Sequence, residues 1–298
     1  MRNLLLTIEY DGTGFSGWQR QPGKRTVQGE LERVLSILCA QEITVDGTGR
    51  TDAGVHALGQ CATFSGEFGI PTERLMTAAN DLLAKNRMIG GDVRITSVRE
   101  VPQGFHARFS AKGKQYLYRI RCAQEMPVFL RNYRYHVKTP LNVEAMEQAL
   151  KAFEGTHDFA GFMAAGSNLR GSTVRMIHQA ELTVRSARSG SAMRRDCRKA
   201  CEGQVSEAQD PREICGSCDI EISLRGDGFL YNMVRIIAGT LVDVGVGRIR
   251  AEDIPEIIDS CDRSRAGHTA PPQGLYMAEV YFQENLYEEQ SDRTAGLG

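Results

Sequence analysis

The chain has almost no net charge, one tryptophan and no apolar run long enough to cross a membrane. Its 36 Lys and Arg offset 37 Asp and Glu to leave −1, so global charge does not point to nucleic acid or an anionic surface. The most apolar stretch, Met233 to Val246, is broken by Arg235 and Asp243, which argues against a membrane span. Leu4-Leu5-Leu6 is too short for a secretory signal core and is followed at once by Glu9 and Asp11. The expected location is therefore the cytoplasm. Eight cysteines in 298 residues do not make the disulfide scaffold of a small secreted domain. What remains is a globular composition, 41% hydrophobic and 24% charged, at a length that suits about two domains.

The stretch around which the chain is organised is Gly47-Thr48-Gly49-Arg50-Thr51-Asp52-Ala53-Gly54-Val55-His56-Ala57. Its glycines predict a turn and leave room for a ligand near the backbone. Arg50 and Asp52 stand two residues apart in it. A neighbouring cation favours the ionised form of a carboxylate, which is one way to present a nucleophile. The simpler reading is that Asp52 closes the turn by bonding its own backbone.

Charge is also unevenly spread. Between Gly104 and Lys138 stand eight basic residues and one acid, Glu125, interleaved with Phe105, Phe109, Tyr116, Tyr118, Phe129, Tyr133 and Tyr135. That mixture suits a phosphate backbone with unstacked bases, or an ordinary basic strand pair with aromatic packing. Acids gather instead at the C-terminus, in Glu284, Glu288, Glu289 and Asp292.

Periodicity predicts strands at Leu4–Tyr10, Ile43–Val45, Leu58–Phe64 and Val93–Val98. It predicts helices over Val27–Leu38, capped by Thr26, and over Leu75–Leu83. Trp18 either plugs the core or shapes a cleft edge. In the second half, Gln115–Arg121 alternates, with Tyr116, Tyr118 and Ile120 on one face and Leu117, Arg119 and Arg121 on the other. Met146, Ala149, Leu150 and Phe153 predict a helix capped by Asn142, with Gly155 as its C′ residue. Strands are expected at Ile177–Val184, Asp219–Leu224 and Gly274–Phe282. Phe229, Met233, Ile237, Leu241 and Val244 predict a helical stripe, with Asn232, Arg235 and Gly239 on another face. Ala238 and Gly239 make that helix thin enough for another backbone to approach. Ile254–Cys261 predicts a short final helix.

Residues 186–217 read as an insertion, rich in Arg, Ser, Glu and Gln, with Cys197, Cys201, Cys215 and Cys218. Four thiolates at this spacing suit a tetrahedral zinc. With the first pair one residue wide and no histidine nearby, a flexible loop with free thiols is the preferred reading.

The ordered motifs resemble those of the tRNA pseudouridine synthase A family. The resemblance runs through Ile8-Glu9-Tyr10-Asp11-Gly12, Gly17-Trp18-Gln19-Arg20-Gln21, Thr26-Val27-Gln28, the Gly49–Ala57 block, Phe105–Ala111, Tyr116-Leu117-Tyr118, Gly226–Arg235 and Pro272-Gln273-Gly274-Leu275. It departs after Asn80-Asp81-Leu82-Leu83, where Ala84 replaces the family's usual proline, and at the cysteine-bearing insertion.

The resemblance implies an α+β fold: two related α/β-sandwich halves with mostly antiparallel sheets joined around a central basic cleft. The expected domains are 1–104, carrying the catalytic Asp, and 105–283, with the insertion; 284–298 is expected to be a flexible acidic tail. The implied activity is isomerisation of uridine to pseudouridine at tRNA positions 38, 39 and 40, in the anticodon stem and loop. A homodimer is implied, with no cofactor and no metal. Asp52 is the implied nucleophile, acting covalently at the nucleotide or by assisting elimination at the sugar. Arg50 and Arg235 are implied to pair with it. Tyr116 is implied to stack on the flipped uracil, with its hydroxyl a candidate to assist proton removal, and Arg108 to contact RNA. Tyr118 is expected to be structural. The alternative is a non-catalytic tRNA-binding or folding module.

Overall fold

The computed structural model describes residues 1–85, 91–166, 171–186 and 217–282. The chain forms two compact units, Met1–Gln115 with Tyr276–Gly298, and Tyr116–Leu275.

In the first unit, β1 (Arg2–Tyr10) pairs antiparallel with β3 (His56–Gly66) and β4 (Val93–Glu100). The two-residue β2 (Asp46–Gly47) also lies on β3. β10 (Leu275–Tyr281) runs parallel to β3, with Tyr276 opposite His56. Helices α1 (Val27–Cys39) and α2 (Thr72–Ala84) supply Val27, Leu31, Val34, Leu35, Leu75 and Ala79 to the core. Thr26 caps α1 by accepting from the Gly29 N–H, which satisfies a donor the helix leaves open. Asn80 of α2 acts as a surrogate strand: its amide donates to the Ile95 carbonyl and accepts from the Ile95 N–H, both at 2.8 Å.

The second unit has the strand order β5 (Gly113–Ala123), β9 (Ser217–Gly226), β8 (Val174–Ser186), β7 (Gly155–Asp158), with β6 (Tyr135–Val137) parallel to β5. β7, β8 and β9 pair antiparallel. Cys218, Ile220, Ile222 and Leu224 alternate inward along β9. The short α3 (Ala107–Ser110) belongs to the first unit; α4 (Val143–Lys151), α5 (Met233–Gly245) and α6 (Ile254–Asp259) belong to the second. α5 is buried on nearly every face, as its continuous apolar sequence requires. Mixed helices and mostly antiparallel strands make the fold α+β.

Four local expectations differ from the structure. Residues 43–45 are not a strand, because side chains of α1 take the backbone groups of Val45: its N–H donates to Glu32 and its carbonyl accepts from Gln28. Phe229 is not on α5, because Asn232 takes the left-handed conformation (φ 61°) and the helix begins after it. Gly155 does not close α4; with φ 105° it opens β7. The division between units falls within β5 rather than at 104, and β10 belongs with the first unit because it pairs with β3. Cys197, Cys201, Cys215 and the tail 284–298 lie outside the described residues; Cys218 is buried in β9. Among the described residues no helix is long and apolar enough to cross a membrane, and no cluster suited to a metal is present.

Trp18 is a core residue, 2% exposed, and its indole packs against Gly47. A Cβ at Gly47 would stand 2.5 Å from two ring atoms. Gly47→Ala should therefore cost about 1–3 kcal/mol, measured by urea unfolding with the fluorescence of this single tryptophan as the probe.

Candidate active site

The loop 47–55 is fastened along its length. The Thr48 N–H and hydroxyl both donate to the Cys61 carbonyl. The Gln60 amide donates to the Gly49 carbonyl at 2.9 Å, and the Lys114 ammonium donates to the Thr48 carbonyl at 3.0 Å. Thr51 is held twice: its hydroxyl bonds the Tyr10 hydroxyl at 2.7 Å and its carbonyl accepts from the Trp18 N–H at 3.0 Å. Burial pushes the Tyr10 phenol far above its ordinary pKa, so it stays a neutral partner. Gly17 (φ 89°) makes the crossing possible, since a Cβ there would meet the Thr51 carbonyl at 2.6 Å. Gly12 passes closer still to Val55, and its N–H donates to buried His56 at 3.1 Å.

Asp52 follows this anchored segment and is half-buried. Its carbonyl accepts from the Val55 N–H at 3.1 Å, closing the turn that Gly54 (φ 80°) completes. The turn thus has a backbone hydrogen bond across it. Arg50 is exposed, and its guanidinium donates to Gln19 Oε1 at 2.9 Å. The cause is the same crossing strand of chain: the Trp18–Thr51 bond brings Gln19 alongside Arg50. Gln19 is in turn bonded to Gln28, and Gln28 to Glu32. Nothing in the spacing of Arg50 and Asp52 forecasts this partner, although Gln19 sits in a motif block of its own.

Arg108 is exposed on α3, its guanidinium 5.8 Å from the ring of Phe109, itself 76% exposed. In the second unit, Tyr116 and Tyr118 share the buried face of β5, as the alternation predicts. Tyr116 meets Phe229 edge-on at 5.1 Å. The Tyr118 hydroxyl donates to the Pro271 carbonyl at 2.8 Å, a structural role in keeping with its complete burial. Arg235 projects from the first turn of α5. Its Nε donates to the Ala270 carbonyl at 2.7 Å and its Nη1 to Asn232 Oδ1 at 2.8 Å. Asn232 tolerates its left-handed backbone better than most residues and turns its amide oxygen to this use. Neither Ala270 nor Gln19 carries a chemical signature by which sequence alone marks it as a site residue.

The model of the tRNA pseudouridine synthase family matches residues 6–110 and 149–283, which include Arg50, Asp52, Arg108 and Arg235. Tyr116 lies between the two matched segments. Proteins named tRNA pseudouridine synthase A from Acetivibrio thermocellus and Caldicellulosiruptor bescii are 43% and 42% identical over 282 residues, covering 95% of this chain and all of each relative. One from a Geobacillus species is 43% identical over 94% of this chain and 98% of its own length. The chain belongs to the tRNA pseudouridine synthase A family.

At the other end of α5, Asp243 accepts from Arg248 at 2.9 Å and bonds His268 Nδ1 at 3.0 Å. Burial opposes its ionisation, but the bonds from His268 and Arg248 outweigh that and hold its carboxyl below the ordinary range. The native state then binds fewer protons at this group than the unfolded chain, so its contribution to stability is present above about pH 4 and lost as pH falls below it. The stability difference between wild type and Asp243→Asn, read from urea midpoints, should shrink as pH drops from 5 to 3.

Proposed function

We propose that this protein isomerises uridine to pseudouridine in tRNA, at positions 38, 39 and 40 of the anticodon stem and loop, with Asp52 as the nucleophile. The observation that carries the reading is a half-buried carboxylate on a backbone-closed loop, within a chain that aligns with synthases of this family along nearly its whole length. In the reaction the N1–C1′ bond breaks, the base turns, and C5 bonds to C1′. The C5 proton leaves and N1 gains one, so the product is an isomer and neither oxidant nor cofactor is consumed. Asp52 serves by bonding the nucleotide or by assisting elimination at the sugar, and both routes need it ionised.

The remaining roles are assigned by chemistry. Arg235 steadies the carboxylate, and its bonds to a carbonyl and an amide oxygen limit its freedom before substrate arrives. Arg50 is exposed and bonded to a neutral amide, so its charge remains available to the reacting carboxylate or an RNA phosphate. Tyr116 stacks on the extruded uracil, and Arg108 with Phe109 offers a cation and an aromatic face to displaced RNA. The protein acts in the cytoplasm as a homodimer.

Tritium release from C5-labelled uridine in tRNA tests this reading. Wild type should release tritium and Asp52→Asn should release none while binding tRNA as wild type does. Release by the variant would remove Asp52 from the chemistry, and binding without release by wild type would favour a tRNA-folding module. Binding should also weaken steeply as salt rises, since each phosphate contact releases counterions; a filter-binding series from low to moderate salt measures the slope.

A further inference from the structure

Arg235, Gly239 and Asp243 stand at i, i+4 and i+8 of α5 and therefore on one face of the helix. The segment 266–271 runs antiparallel along that face. The Ala270 N–H donates to the Arg235 carbonyl at 3.0 Å, and Ala270's own carbonyl accepts from Arg235 Nε at 2.7 Å. Next along the helix, the His268 carbonyl presses on Gly239 so closely that any Cβ there would collide with it. The Gly267 N–H donates to the Thr240 hydroxyl at 2.9 Å, and a Cβ on Gly267 would come within 2.6 Å of Thr240 Cα. At the far end His268 bonds Asp243 through Nδ1 at 3.0 Å and through its backbone N–H at 3.3 Å. Nε2 of the same ring meets the Tyr135 hydroxyl at 3.1 Å.

We propose that His268, clamped between Asp243 and Tyr135, is a positioning residue: it sets the register of the 266–271 segment on α5 and thereby places the Ala270 carbonyl that orients Arg235. This rests on Arg235 taking part in the reaction. The other holds on the segment each engage a single element. Arg263 gathers it from one side through the Gly267 carbonyl at 2.9 Å and the Thr269 hydroxyl at 3.2 Å, and Tyr118 bonds Pro271 at its end. His268 is the one side chain of the segment that reaches back to both α5 and β6. Its ring spans two partners fixed on different elements, so it resists sliding of the segment in a way a single backbone bond does not. A shift of one residue in register would leave Arg235 Nε without its acceptor. The His268 side chain is 37% exposed, so truncating it opens no internal cavity.

The test compares the full chain with His268→Ala, His268→Asn and Arg235→Gln. Single-turnover tritium release, tRNA affinity, the urea midpoint, and deuterium exchange at the Ala270 amide are measured for each. His268→Ala should slow the single turnover by roughly tenfold or more, as small misplacements of a reacting group do. Its tRNA affinity should stay within about twofold, and its Ala270 amide should exchange faster. His268→Asn can still donate to Asp243 and should recover most of the rate. A wild-type rate in His268→Ala, or unchanged Ala270 exchange, would overturn the proposal. So would a rate loss mirrored by weaker tRNA binding, or one that His268→Asn does not relieve. If Arg235→Gln is slow while His268→Ala is not, the positioning role alone fails; if Arg235→Gln reacts at the wild-type rate, the reading of Arg235 fails with it.

Discussion

The two bonds that meet at Thr51 are the constraint on which the first unit's chemistry depends. One comes from a strand, through Tyr10, and the other from the loop before α1, through the Trp18 N–H. A residue tied through both side chain and backbone has little freedom, and Asp52 is its immediate neighbour. The carboxylate thus inherits its position from a segment that is rigid before any substrate arrives. A group with the role proposed for Asp52, meeting a sugar carbon at a fixed distance and angle, needs preorganisation of this kind. The cost of the arrangement appears in glycine: Gly12, Gly17 and Gly47 each stand where a side chain would collide with backbone or with Trp18. Only residues without a Cβ let three chain segments pass this close.

Much of the fold could be read from sequence, and the features that could be read are local ones. Thr26 and Asn142 cap their helices because a cap is decided within four residues. The alternation of Tyr116, Tyr118 and Ile120 survives because a strand's two faces are set by its own pleat. Ile43–Val45 misled for the opposite reason. Its apolar alternation is real, and Ile43 and Val45 are buried, but its hydrogen bonds go to the side chains of Gln28 and Glu32. Phe229 matched the helical period of α5 by arithmetic alone, since one left-handed residue, Asn232, separates it from the helix.

The same division runs through the site. The glycines around Arg50 and Asp52 announced a turn, and a turn is there. The Gln19 amide that holds the Arg50 guanidinium could not be read there, because proximity in sequence says nothing about what the loop at Gln19 brings in from outside. Composition also could not show that Arg235 rests on a main-chain oxygen. Ala270 has no side-chain chemistry to notice, and its carbonyl becomes a site feature only through the path of the segment that carries it.

Both units therefore solve one problem in one way. Backbone from far away in sequence is brought against a charged residue or its immediate neighbour, and that backbone is admitted by glycine: Gly17 against Thr51, beside Asp52, in the first unit, and Gly239 against His268, two residues from the Ala270 carbonyl that holds Arg235, in the second. Side-chain partners alone would leave long, flexible residues such as arginine with several rotamers of similar energy. A carbonyl delivered at 2.7 Å selects among them, and it keeps that position only as long as the segment bearing it keeps its register. The second unit needs the firmer register lock of the two. Thr51 is held through both its side chain and its carbonyl and directly precedes the carboxylate, whereas Ala270 has no side-chain bond of its own and relies on holds at Thr269, Pro271 and His268.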